Sequence, residues 1–238
     1  MAREGFRSPA EIRTRTLVQE LAAAFLRRVY WWMTVGLGVT GLAAWMVANS
    51  VSLQRLIFGN SLVFFGLVIA ELVLVFSLSA RVERMSLQGA SATFLIYSLL
   101  NGLTLSGILL LYTASSVAGV FFITGGTFAA TSLWAYTTRR DLSSFGSFFF
   151  MGLIGLIIAS LVNGFLRNPA LDWAISYVGV FIFVGLTAYD TQRLTLMGAT
   201  GFSDEAATTK GAIVGALALY LDFVNLFLML LRIFGRRR

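Results

Sequence analysis

Seven stretches of about 20 residues each, nearly free of charge, constrain what this chain can fold into. They run approximately from Val29 to Ala48, Ser61 to Ala80, Ser91 to Tyr112, Ser116 to Tyr136, Ser144 to Phe165, Leu171 to Thr191 and Gly211 to Leu231. At about 1.5 Å per residue, a helix of that length crosses the roughly 30 Å hydrocarbon core of a bilayer. Such a helix also satisfies its own backbone groups where no water can. The expected fold class is therefore all-α, a polytopic membrane protein with seven transmembrane helices. The breaks between the stretches agree with it. Asn49–Asn60 carries Arg55 and Gly59, Arg81–Arg84 is charged, Arg139-Arg140-Asp141 is a tight charged turn, and Arg167-Asn168-Pro169 cannot continue a helix. Only the connection near Thr113–Ser115 is weakly marked. Trp31, Trp32, Trp45, Trp134, Tyr136 and Trp173 fall near span ends, as an aromatic belt requires. The expected division is a cytoplasmic tail at 1–28, a transmembrane domain at 29–231 and a basic tail at 232–238. Within the first tail, Val18–Leu26 is the stretch expected to turn helical.

The membrane reading accounts for the composition, 58% hydrophobic and 12% charged. The chain has no Cys and no His. That excludes disulfides, thiolate or imidazole metal sites and Cys–His nucleophiles, and it leaves proton chemistry to carboxylates. The net charge of +7 comes almost wholly from Arg, with Lys210 the only Lys. These charges flank apolar spans, so they read as topology signals rather than as a nucleic-acid surface. With the N-terminus inside, 12 basic residues lie in the tail and inner loops and only Arg55 and Arg167 in the outer loops. Arg232 and Arg236–Arg238 oppose this pattern, because seven crossings place them outside; a re-entrant last segment is the alternative to a seventh crossing.

Three acidic residues lie within apolar spans: Glu71, Asp190 and Asp222. An ionised carboxylate at the bilayer centre costs about 2.5–3.5 kcal/mol on insertion scales, so each should face protein or water. Asp222 sits near the middle of GAIVGALALYLDFVNLFLMLL, on a stripe formed by Gly211, Gly215, Ala218 and Asn225. That stripe of small and polar residues lets other helices approach closely. Two nearby carboxylates in a low-dielectric site do not both ionise easily and can hold one proton between them. By helix rise, Asp222 lies about 16 Å deep, and Asp190 reaches that depth only if the sixth helix runs on through Leu194 and Leu196. Arg81 is at the right depth to neutralise Asp190. The plainer alternatives are that Thr187, Thr191 and Gln192 satisfy Asp190 in an ordinary interfacial network, that Arg81 is a boundary charge, and that the glycines are packing positions.

Two segments carry a family resemblance. Tyr220-Leu221-Asp222-Phe223 with Asn225, Leu226, Phe227 and Arg232, together with Gly185-Leu186-Thr187-Ala188-Tyr189-Asp190-Thr191-Gln192, resembles the signature of the Bax inhibitor-1 (transmembrane BAX inhibitor motif) family. The likeness extends through Arg140-Asp141-Leu142 and the Asn168-Pro169 turn. The resemblance implies a last helix that is central, with six others around it. It further implies a pH-sensitive calcium leak channel in which Asp190 and Asp222 share a proton and act as sensor and gate. Arg81 or Arg84 would serve as the latch. The expected site is therefore Asp190 and Asp222, with Glu71 and Asn225 on the ion pathway. Transient Ca²⁺ at the two aspartates follows from the preference of hard cations for oxygen ligands.

The remaining expectations are no resident cofactor, with Ca²⁺ as the permeant ion, and Ca²⁺, H⁺ and the lipid bilayer as partners. A monomer in the bacterial inner membrane is expected, with no nucleic acid bound and membrane proteins as further candidate partners. An H⁺-coupled cation exchanger and a non-transporting regulator of a protease or cell-death complex are the alternatives. An enzyme is not expected, because the Gly-x-Gly-Asp surround of an intramembrane aspartyl protease is absent from both Asp190 and Asp222.

Overall fold

The structure, a computed structural model, describes residues 9–238. Among these residues the elements are α1 (Pro9–Ala48), α2 (Val51–Phe58), α3 (Ser61–Arg81), a 3-10 turn at Val82–Arg84, α4 (Leu87–Leu111), α5 (Ala114–Thr137), α6 (Ser143–Leu166), α7 (Pro169–Thr200) and α8 (Glu205–Phe234). Seven of the eight α-helices are long and apolar enough to cross a membrane; α2 is a short helix within the break between the first two spans. Residues 1–8 of the expected tail lie outside the described residues. From Pro9 onward that tail is helical and continuous with the first span, a longer helix than the Val18–Leu26 stretch expected from the sequence.

Local chemistry starts the helices where the apolar runs begin. Ser50, Asn60, Ser86, Asn168 and Asp204 each accept a backbone N–H two or three residues ahead, satisfying donors that the first turn leaves free. The α6–α7 connection is only Arg167 and Asn168. To turn the chain in that length, Arg167 adopts the left-handed conformation, with φ 51° and ψ 38°. Asn163 braces the turn: its Oδ1 accepts from Asn168 N at 3.0 Å, and its Nδ2 donates to Asp172 Oδ1 at 2.6 Å.

The last helix is the axis of the bundle. Two thirds (67%) of its most apolar 18-residue window is buried, against 6% for α3. Helices α1, α4, α5 and α7 pack on α8, whereas α3 leans chiefly on α4 and α6 on α7. One apolar core surrounds Tyr220 and gathers side chains from α1, α3, α4, α5, α7 and α8. A second surrounds Leu226–Leu231 and gathers them from α5, α6, α7 and α8. The outward faces carry large apolar side chains such as Leu62, Phe76, Phe122 and Phe165, which suit contact with lipid rather than water.

The chain end resolves the conflict over the seventh span. Beyond α8, Arg236 O accepts from Thr113 N at 3.1 Å and Arg238 N donates to Leu111 O at 3.0 Å, pinning residues 236–238 to the α4–α5 connection. A re-entrant segment would return to the end where it began. Instead α8 runs from one end of the bundle to the other, and its basic terminus is held by backbone pairing at the end shared with the α4–α5 and α6–α7 connections.

Candidate functional site

Two glycines bring α7 and α8 together. A Cβ on Gly215 would lie 2.6 Å from Leu194 Cδ2, and one on Gly179 would lie 2.8 Å from Met229 Cγ. Only a hydrogen fits at such separations, so glycine permits the close antiparallel approach. The helix condition for the pair is also met. Helix α7 continues past Thr191 to Thr200, placing Leu194 on the interface and Asp190 well inside the helix.

The Asp190 and Asp222 carboxyl groups meet in this interface, near enough for a side-chain hydrogen bond between them. Two carboxylates offer acceptors only, so that bond requires one proton. Asp222 is 5% exposed, and its Oδ2 is the one buried side-chain polar atom without a hydrogen-bond partner among the described residues. Leaving such an atom unpaired costs about 1–3 kcal/mol, and more if it carries charge. The site is therefore built short of donors.

The ordinary network considered for Asp190 does not form. Thr187 donates to Phe183 O at 2.7 Å, Thr191 to Ser132 Oγ at 3.3 Å, and Gln192 turns toward the α5–α6 connection. The cation whose field reaches Asp190 is Arg193, one turn further along α7. Arg81 and Arg84 are exposed at the end of α3 and make no ion pair, since Arg28–Glu205 is the salt bridge found among the described residues. Asn225 sits half-buried one turn beyond Asp222 and donates to Leu221 O at 2.8 Å, within its own helix. No cluster of three or more Asp or Glu that could hold a metal occurs among the described residues.

Glu71 belongs to a separate centre. Its Oε1 accepts from Thr104 Oγ1 at 2.8 Å and its Oε2 from Asn101 Nδ2 at 3.0 Å, both on α4. Asn101 Oδ1 in turn accepts from Tyr220 Oη at 2.9 Å, and Tyr220 Oη lies 2.6 Å from Thr40 Oγ1 on α1. The single Thr40 hydroxyl proton also has Ser98 O at 2.8 Å and Gly36 O at 2.9 Å within reach; when it is given to Tyr220 instead, the bonds run in one direction from α1 through α8 and α4 to the Glu71 carboxylate. Sequence reading singled out Glu71 but not its partners. Asn101 and Thr104 stand three residues apart on one face of α4, where their side chains can act together, and that spacing is the signal in the sequence.

Gln192 is a second residue whose role needed the fold. Its Oε1 accepts from Leu142 N at 2.7 Å and its Nε2 donates to Arg140 O at 2.8 Å. It ties the segment two residues beyond Asp190 to Arg140-Asp141-Leu142. In that connection, the Ser143 backbone N–H beside Asp141 holds the Asp141 carboxyl below the usual carboxylate range.

Two separated stretches of sequence thus form one structural unit beside the aspartate pair, and comparison with known proteins gives this arrangement a lineage. A family model described as inhibitor of apoptosis-promoting Bax1 matches residues 22–238. The chain belongs to the Bax inhibitor-1 family. An inner membrane protein of Escherichia coli K12, YbhL, is 52% identical over 229 residues, covering 95% of this chain and 98% of its own length. An uncharacterized protein of Borreliella burgdorferi is 43% identical over 90% of this chain and 92% of its own, and an uncharacterized membrane protein of Streptococcus pyogenes is 35% identical over 89% and 92%. With seven membrane-length helices, this Bax inhibitor-1 family member is a multi-pass membrane protein.

Proposed function

We propose that this protein is a pH-sensitive calcium leak channel of the inner membrane, gated by Asp190 and Asp222. The observation that carries the reading is the donor-poor carboxyl pair in the α7–α8 interface, with Asp222 Oδ2 unpartnered. A buried pair of this kind is satisfied by a shared proton or by a cation, and the two compete for the same oxygens. Ca²⁺ takes about six to eight oxygen ligands, so the pair would be supplemented by water and by the carbonyl of Asn225 during passage. Loss of the proton leaves two like charges in contact, which biases α7 and α8 toward separation. Glu71 supplies a further acidic position at α3. An arginine latch from Arg81 or Arg84 would belong to an arrangement in which α3 has moved, because both are exposed here. In this reading the protein transports and does not catalyse.

The name of YbhL supports an inner-membrane location. The excess of basic residues near the α1 end supports a cytoplasmic N-terminus, with residues 236–238 on the outer face. An H⁺-coupled cation exchanger is the second reading, supported by the hydrogen-bonded chain from Thr40 to Glu71, which adds a protonatable group beyond the pair.

Calcium entry into dye-loaded proteoliposomes across pH tests the proposal. A wild-type flux that varies with pH, and a response that disappears in Asp190→Asn and in Asp222→Asn, is the expected result. No flux at any pH with folded protein would overturn it and favour a regulator of other membrane proteins. Uphill Ca²⁺ movement driven by an imposed H⁺ gradient would select the exchanger.

A further inference from the structure

At the end of the bundle where α8 finishes, helices α4, α6, α7 and α8 line an open-sided cavity of about 960 Å³. It lies in the size range of small-molecule sites, roughly 300–1,000 Å³. Its deeper wall is apolar, with Leu105, Ile108, Leu228 and Leu231, while Arg167, Arg232 and Arg237 stand on its lining. None of the three guanidiniums makes an ion pair among the described residues. The acid of the lining, Asp172, already accepts from Asn163 through Oδ1. The cavity is thus cationic on balance, and its charge is unanswered within the protein.

We propose that this cavity binds an anionic phospholipid, its phosphate held by Arg167, Arg232 and Arg237 and an acyl chain lying along the leucine wall. Guanidinium groups match phosphate oxygens in bidentate geometry, and the apolar depth of the cavity suits a chain rather than a free ion. The level is right for a headgroup. Trp173 lines the cavity at 49% exposure and stacks on Tyr177, 5.8 Å between centroids, as aromatic side chains do at a membrane interface. Backbone strain also points here. Arg167 occupies a left-handed conformation that glycine adopts more readily, so the turn alone does not call for arginine. Charge neutralisation by the phosphate gives a reason for that residue. The site is independent of whether the chain conducts ions.

Native mass spectrometry from mixed micelles and melting in lipid nanodiscs test the site, with phosphatidylglycerol against phosphatidylcholine of the same chains. The wild type should retain phosphatidylglycerol roughly tenfold better. The double variant Arg232→Gln, Arg237→Gln should bring the two lipids near parity. Arg237 pairs with Tyr112 through its backbone, so the fold should persist, checked by an unchanged Tm in phosphatidylcholine. Arg167→Gly should lower the lipid preference while leaving Tm in phosphatidylcholine unchanged or higher, a combination that a purely structural arginine would not produce. Should a variant fail to fold, brominated lipids on the wild type still decide. Trp173 fluorescence, isolated by difference from Trp173→Phe, should be quenched more by brominated phosphatidylglycerol than by brominated phosphatidylcholine. Equal retention of the two lipids by the wild type would overturn the proposal. So would displacement of the lipid by millimolar inorganic phosphate, which would make soluble phosphate the ligand.

Discussion

Two acidic centres lie within the bundle, and they are built in opposite ways. Glu71 stands on α3, the least buried spanning helix, yet both of its oxygens accept hydrogen bonds. Asp222 stands on α8, the most buried, yet one of its oxygens accepts none. Burial alone therefore does not decide whether an intramembrane acid is satisfied; the donors aimed at it do. Glu71 has its hydrogen-bond partners within the protein. The aspartate pair needs something from outside the protein, a proton or a cation, and a site with such a need can report on pH or calcium. The glutamate centre joins α1, α4, α8 and α3, whereas the aspartate pair holds α7 against α8.

The largest test of that contrast is Asp222→Asn. An amide supplies permanently the donor that the pair lacks, so the pH response of any flux should be abolished while the fold is kept, measured by liposome flux and by Tm. A response that survives would place the sensor outside the pair, with Glu71 the next position to vary. Asn101→Leu attacks the other centre. It strands one Glu71 oxygen and leaves Thr40 as the remaining partner of the Tyr220 hydroxyl, and at about 1–3 kcal/mol for the unpaired group it should lower Tm clearly. If the pH response persists in this variant, the two centres act separately.

Gly215→Val tests the register that creates the pair. The added carbons meet Leu194 and should cost about 1–3 kcal/mol while prising Asp190 from Asp222, seen as lower Tm together with a weakened pH response. Gln192→Leu should have the smallest effect, about 1 kcal/mol, since it removes two bonds to one partly exposed connection. Faster amide exchange at residues 140–142 with an intact pH response would confirm that Gln192 positions the turn rather than serving the aspartates.

Much of this was legible in the residues. Each spanning helix contains its apolar run to within a residue or so, and the breaks at Asn60 and Asn168 are the caps seen in the structure, because backbone satisfaction in lipid is a local requirement. Asp190 and Asp222 were legible as a pair because charge within an apolar span is rare and costly. The conditional step, that α7 must continue through Leu194 and Leu196, was legible as well. What was not legible depended on residues far apart in the chain. Gln192 looked like a partner for its neighbour Asp190, and instead it reaches across to Leu142. The Arg236–Arg238 run argued against a seventh crossing by charge, and backbone bonds to residues 111–113 hold it there.

The sequence by itself determined seven helices, their breaks and three acids within them, since length, hydropathy and capping act within a few residues. The tertiary structure alone decided which acid has donors. A hydrogen bond needs atoms about 3 Å apart, and that proximity arises only when α1, α4, α7 and α8 have packed.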